Sequence, residues 1–187
     1  QFFLSTTVLD YIKALEFYKK NQAIYTQKYG EKDLHLATVL TNIGVIQIQQ
    51  GEYTLGINQL KEALKINVNN DTRKAFIYSQ LGQAYLLNSQ DDLATQFTKD
   101  ALEIYLKEYG EKHPEVAQTF ISLGNIELYR KHHKKALANY QYALIANSDY
   151  VTLDIYQLPT LDTKSLSNTL FLNTLHLKAQ VFEQLYF

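Results

Sequence analysis

The chain has 187 residues, 46% of them hydrophobic, a formal net charge of -1, and no Cys, Met or Trp. That much apolar surface builds a core and excludes a disordered chain, while 18 basic residues balanced by 19 acidic ones leave no electrostatic footprint for a nucleic acid or an anionic membrane surface. Absent Cys excludes disulfides, thiolate metal sites and a cysteine nucleophile within these residues, and seven Gly with two Pro argue for long helices rather than a turn-rich β fold.

Taken in order, the start Gln1-Phe2-Phe3-Leu4 lacks the basic flank and cleavage pattern of a signal peptide, and no apolar run approaches the length of a bilayer span. With no Met anywhere, the sequence reads as a piece of a longer protein, and residues 1–7 as the stub of a first helix. From Asp10 onward, Tyr11, Ala14, Leu15, Tyr18 and Tyr25 return to one face at helical spacing as far as Tyr29, where Gly30 supplies a left-handed stop. Helices over 36–50 and 53–67 follow, turned at Gly51. Asp71 or Thr72 caps a helix reaching Asn88, and Asp91 caps its partner, which runs to Tyr109 before Gly110. Pro114 fits the first turn of the next helix, where a missing amide hydrogen costs nothing, and that pair ends near Asn147. The stretch from Ser148 to Pro159 has no helical period, carries β-branched residues and closes on Pro, so 148–165 is predicted as an extended linker. A last helix over 166–187, capped by Ser165 or Ser167 and rich in Leu and Phe, is expected to pack over the end of the array.

The pairs are copies of one another. Tyr29-Gly30-Glu31-Lys32 returns as Tyr109-Gly110-Glu111-Lys112, and Gly44, Gly82 and Gly124 stand 38 and 42 residues apart. Small residues keep step, at Gly56, Ala94 and Ala136 and again at Ala63, Ala101 and Ala143. Where two helices of a hairpin cross, a larger side chain forces the axes apart, so these nine positions are read as the structural register of the repeat.

Leu81-Gly82, Leu123-Gly124 and Ile43-Gly44 in first helices, followed by the small residue, Tyr140 and Ala143-Leu144, resemble the tetratricopeptide repeat. The longer period and the Y-G-E-K-H-P-E-V-A join are similar to the kinesin-light-chain-like variety of about 42 residues. That resemblance implies an all-α fold, a right-handed superhelix of stacked antiparallel hairpins with a C-terminal capping helix. Its repeats fall at about 1–30, 34–68, 72–110 and 114–147. Two departures stand out: Thr98 replaces the aromatic, and Val68-Asn69-Asn70-Asp71 replaces the Y-G-E-K join. A second resemblance concerns A-L-I-A-N followed by Asp154-Ile155-Tyr156, Pro159 and the helix from Leu172 to Ala179. It is similar to the region preceding a CHAT domain, a caspase-like cysteine peptidase fused to such repeats in bacterial proteins. The catalytic His and Cys would then lie beyond Phe187, and this chain would recruit or regulate.

No catalytic motif is present. His35, His113, His132, His133 and His176 never sit at the i, i+4 spacing that puts two imidazoles on one side of a helix, and no H-E-x-x-H, G-x-S-x-G, P-loop or G-x-G-x-x-G appears. No metal, cofactor or enzyme activity is therefore assigned to the chain. The Glu-Lys pairs of the joins read as hydrated, and Tyr18 and Tyr140 as packing aromatics.

In the family this sequence resembles, the first helices line the concave, ligand-binding face. The matching positions are Thr38, Thr41, Val45, Ile48 and Gln49; Phe76, Ser79, Gln83, Leu86 and Leu87; and Gln118, Ile121, Asn125, Leu128 and Tyr129. Thr41, Ser79 and Ile121 occupy places where peptide-tail-gripping members carry Lys, so carboxylate capture is not expected. Asn42, Gln83 and Asn125 offer amides that both donate and accept, as recognition of a peptide backbone requires. The function expected is a protein- or peptide-binding scaffold in the cytoplasm, with two alternatives: a peptide-sensing regulatory array, or a structural array assembled end to end.

Overall fold

The computed structural model describes residues 6–31, 33–66, 71–147 and 169–186, and among them every regular element is helical. The helices are α1 (Thr6–Tyr29), α2 (Leu34–Gln49), α3 (Tyr53–Lys65), α4 (Asp71–Leu87), α5 (Asp91–Tyr109), α6 (Pro114–Tyr129), α7 (His133–Ala146) and α8 (Thr169–Tyr186). The linker expected over 148–165 and the caps Ser165 and Ser167 lie outside the described residues. Boundaries differ from expectation in places: α2 begins at Leu34, and α1 is unbroken from Thr6, so Thr6 and Thr7 extend this helix and are not the remnant of an earlier one. None of the described helices is long and apolar enough to cross a membrane.

Local chemistry sets the helix ends. After α2, Gly51 takes φ 83°, its N–H donates to Ile48 O at 3.0 Å, and Glu52 N–H reaches back to Gln47 O at 2.8 Å. The same two bonds recur after α4 with Ser89 at φ 57° and after α6 with Lys131 at φ 60°. This left-handed stop satisfies carbonyls that a helix end otherwise leaves orphaned. Only the first copy uses the residue that adopts positive φ without steric cost. The longer joins start on Gly30 at φ 84° and Gly110 at φ 74°. Asp33 then caps α2 by accepting from His35 N–H at 2.9 Å, and His113 Nδ1 caps α6 by accepting from Glu115 N–H at 3.2 Å.

The chain forms two compact units, Gln1–Gln90 and Asp91–Phe187. In the first, α1 packs on α2, α2 on α3 and α3 on α4, with α2 also touching α4. The α2/α3 crossing is a meeting of backbones. A methyl built on Gly44 would lie 3.0 Å from the Gly56 carbonyl oxygen, and one on Gly56 would lie 2.7 Å from that of Gly44 and 2.6 Å from Ile48. Around this contact Leu36, Ala37, Ile43, Ile57, Leu60 and Ala63 are buried. Each larger aliphatic among them stabilises the fold by roughly 1.5–3 kcal/mol.

In the second unit α5 packs on α6, α6 on α7 and α7 on α8, with α6 also touching α8. The α6/α7 crossing places Gly124 beneath a ring: a methyl there would meet Tyr140 Cε1 at 2.4 Å. Ala136, Leu137, Tyr140, Ala143 and Leu144 are wholly buried behind it. Arg130 ties the end of α6 to the start of α5, with its Nη2 2.7 Å from Asp92 and its Nε 3.7 Å from Asp91. On α8, buried Lys178 donates from Nζ to buried Gln141 of α7.

Candidate functional site

The positions proposed to meet a ligand lie on α2 and α4 in the first unit and on α6 in the second, and burial divides them. Thr38, Gln49, Phe76, Gln83, Gln118 and Tyr129 are exposed, while Val45, Ser79, Leu86, Asn125 and Leu128 are half-buried. Thr41 and Ile121 are each only 5% exposed and offer no surface to a ligand. The Thr41 hydroxyl is spent within its own helix, donating to Ala37 O at 2.8 Å. Ile48 is buried too, whereas Leu87 is 46% exposed.

Hydrogen bonding refines the set further. Ser79 Oγ donates to Phe76 O at 2.8 Å and Thr38 Oγ1 to Leu34 O at 3.3 Å, so each hydroxyl keeps only acceptor capacity. Asn125 Oδ1 accepts from the Tyr140 hydroxyl at 2.7 Å, which gives this amide a place in the α6/α7 packing. Burial pushes the Tyr140 phenol up to about 12, so it remains a donor across the ordinary pH range. At the equivalent positions, eighty residues earlier, α2 and α3 carry Val45 and Leu60, both apolar.

Of the positions singled out, those that remain exposed are amides, large apolar groups and Thr38. Phe76 (42% exposed) and Leu87 mark α4, and Tyr129 (57%) marks α6. No Lys, Arg, Asp or Glu occurs among the positions singled out. Such a surface suits an uncharged segment with a few large apolar anchors. Among the described residues no group of three or more His, Asp or Glu is placed to hold a metal ion.

A feature that sequence reasoning missed sits at the joins. Tyr25 stacks on Tyr29 at 5.8 Å between centroids and on His35 at 5.5 Å; eighty residues later Tyr105 stacks on Tyr109 at 5.9 Å, and Tyr109 on His113 at 3.9 Å. The return of both tyrosines at that interval was the available signal. These rings brace the turn between successive hairpins, and Glu31, Glu111 and Lys112 of the same joins are exposed, as their reading as hydrated groups expects.

The tetratricopeptide repeat family profile matches residues 8–67 and 73–144. No curated protein matches the chain. Among solved structures, the crystal structure of BtubC (BKLC) from P. vanneervenii is similar with a TM-score of 0.68 and 20% identity, over 93% of this chain and 68% of that one. The crystal structure of MamA is similar with a TM-score of 0.57 and 16% identity, over 95% of this chain and 92% of that one. Helix hairpins crossing at small residues and a family profile that matches most of the sequence lead to one conclusion: the chain belongs to the tetratricopeptide repeat family.

Proposed function

We propose that the chain is a scaffold that binds a protein or peptide through the first helices of its hairpins, and that its ligand is an uncharged segment with large apolar side chains. The observation that carries this reading is the presence of exposed apolar groups and exposed uncharged amides on the same helices: Phe76 and Gln83 on α4, and Tyr129 and Gln118 on α6. Exposed aromatics supply anchors, and the amides donate to and accept from a ligand backbone. Thr41, Ser79 and Ile121 supply no cation for a terminal carboxylate at the places where the resemblance would put one, which supports an uncharged ligand. Selection of peptides from a random displayed library tests the reading. Neutral, apolar-rich winners are expected, with affinity falling at least about tenfold in Phe76→Ala or Tyr129→Ala, as truncation of an anchor implies. Winners dominated by acidic or basic residues, or equal affinity in both variants, would overturn it.

The resemblance of residues 154–159 and of Leu172 to Ala179 to the region preceding a CHAT domain supports a finer setting, a recruitment or regulatory segment beside a caspase-like peptidase in the bacterial cytoplasm. Reading the gene downstream of Phe187 tests this. A caspase-like His and Cys are expected there, and an unrelated continuation would remove the setting while leaving the scaffold intact.

A further inference from the structure

The hydrogen bond between Tyr140 and Asn125 decides how one residue of the binding face is presented. Tyr140 is wholly buried, and a phenol has a single proton to give. The acceptor for that proton is Asn125 Oδ1, at 2.7 Å. Burial holds the phenol up at about 12, so the proton is in place throughout the ordinary pH range. Were the amide turned over, its nitrogen would face the hydroxyl, and a buried O–H would lose its acceptor where water does not reach. The bond therefore fixes the sense of the amide, with oxygen toward Tyr140 and nitrogen away from it.

Asn125 is half-buried and shares one stripe of α6 with exposed Gln118 and Tyr129, seven residues before it and four after it. Its Nδ2 has no partner among the described residues and is not sealed from solvent. The other copies of the repeat lack this arrangement. Tyr140 is replaced by Leu60 in α3 and by Thr98 in α5, and the Thr98 hydroxyl is spent on Ala94 O of its own helix at 2.7 Å. Asn125 is replaced by Val45 in α2, which makes no hydrogen bond from its side chain, and by Gln83 in α4, an exposed amide that can present either end.

We propose that Tyr140 is a positioning residue of the binding face: by engaging Asn125 Oδ1 it presents this amide as a donor only, and α6 takes its ligand at a main-chain carbonyl oxygen. The proposal rests on the reading of the first helices as the binding face and adds a direction to it. An apolar ligand segment carries its oxygen acceptors in its main chain, so a carbonyl of that chain is the group that a fixed donor between Gln118 and Tyr129 would hold. A ligand group that offered an N–H at this point would meet the hydrogens of the amide instead of its oxygen. Discrimination for an acceptor is thus built into α6, whereas Gln83 of α4 serves either kind of group.

Titration calorimetry on the full chain tests this. The probe is one neutral peptide from the displayed library whose side chains carry no hydrogen-bonding group and whose C-terminus is amidated, so that amide carbonyls are its only acceptors. Asn125→Asp still gives Tyr140 an acceptor and should keep its helical content by circular dichroism. It replaces the outward N–H by a carboxylate oxygen, and affinity for the probe should fall at least about tenfold. Tyr140→Phe frees the amide to turn, and affinity should fall about two- to fivefold. Added to Asn125→Asp, it should cost nothing further, because no donor is left to orient; a purely structural role for Tyr140 would give the same loss in both backgrounds. Unchanged binding in either single variant, or an equal loss on Tyr140→Phe with and without Asn125→Asp, overturns the proposal. If Phe76→Ala or Tyr129→Ala still weakens binding in that case, the scaffold reading stands alone; if neither does, both fall.

Discussion

The hairpins α2/α3 and α6/α7 hold the same register and fill it with different chemistry. In α2/α3 two glycines let backbone meet backbone, and the neighbouring pair Val45 and Leu60 is aliphatic. In α6/α7 the second small residue is Ala136, and Gly124 accommodates a buried tyrosine ring whose hydroxyl bonds Asn125. The repeat therefore conserves room rather than a particular contact. Space freed by one glycine is taken by a carbonyl in one hairpin and by an aromatic side chain in the other. The first solution sets a carbonyl of each helix against the glycine of the other, and the second carries a titratable group.

That contrast can be broken most severely at Gly56. An added methyl would lie 2.7 Å from a carbonyl of the facing helix, which cannot swing aside. Gly56→Ala should cost about 3 kcal/mol in chemical denaturation, at the upper end of overpacking effects. Gly44→Ala meets contacts of 3.0–3.2 Å, partly to the side chain of Leu60, and regains about 1 kcal/mol of helix propensity, so it should lie near neutral. Equal effects at the two sites would remove the distinction.

The next effect is alkaline. Because Tyr140 titrates at about 12 when folded against roughly 10 for an unfolded tyrosine, the native state holds its proton longer. Its stabilisation is complete below pH 10 and lost as the pH rises from 10 to 12, a fall on the order of 2 kcal/mol. Denaturation at several alkaline pH values should show that fall in the parent chain, and Tyr140→Phe should lack it. At neutral pH, Tyr140→Phe should cost about 1 kcal/mol for the lost hydrogen bond to Asn125.

The fold was largely legible, and for one physical reason: a glycine in the middle of a helix is unfavourable unless something approaches it closely, so Gly44 and Gly124 announced their crossings before any coordinates. Helix stops at Gly30, Gly51 and Gly110 were equally readable, since each takes a positive φ. The binding face was less so. Reading positions across from a family does not tell which side chain turns inward by a fraction of a helical turn, and Thr41 and Ile121 turned inward. The Asn125–Tyr140 bond joins residues fifteen apart, and only a comparison of Val45 and Leu60 with their counterparts inside the chain would have revealed it.

The smallest expected effects concern the three left-handed stops. Lys131→Gly and Ser89→Gly give the second and third copies the residue that Gly51 provides in the first, and each should stabilise by about 0.5–1 kcal/mol. Gly51→Ala should destabilise by a similar amount. A thermal melt resolves the sign in each case.

A double-mutant cycle at the α6/α7 crossing tests most directly whether small residues set the hairpins by yielding space to whatever faces them. Gly124→Ala alone should destabilise by about 1–3 kcal/mol, because its methyl would fall 2.4 Å from the buried ring of Tyr140. Combined with Tyr140→Leu, which installs the side chain found at Leu60, most of that cost should disappear, a coupling of at least about 1 kcal/mol measured by denaturation. Strictly additive effects would show that the glycine and the residue opposite it act independently, and would contradict the account.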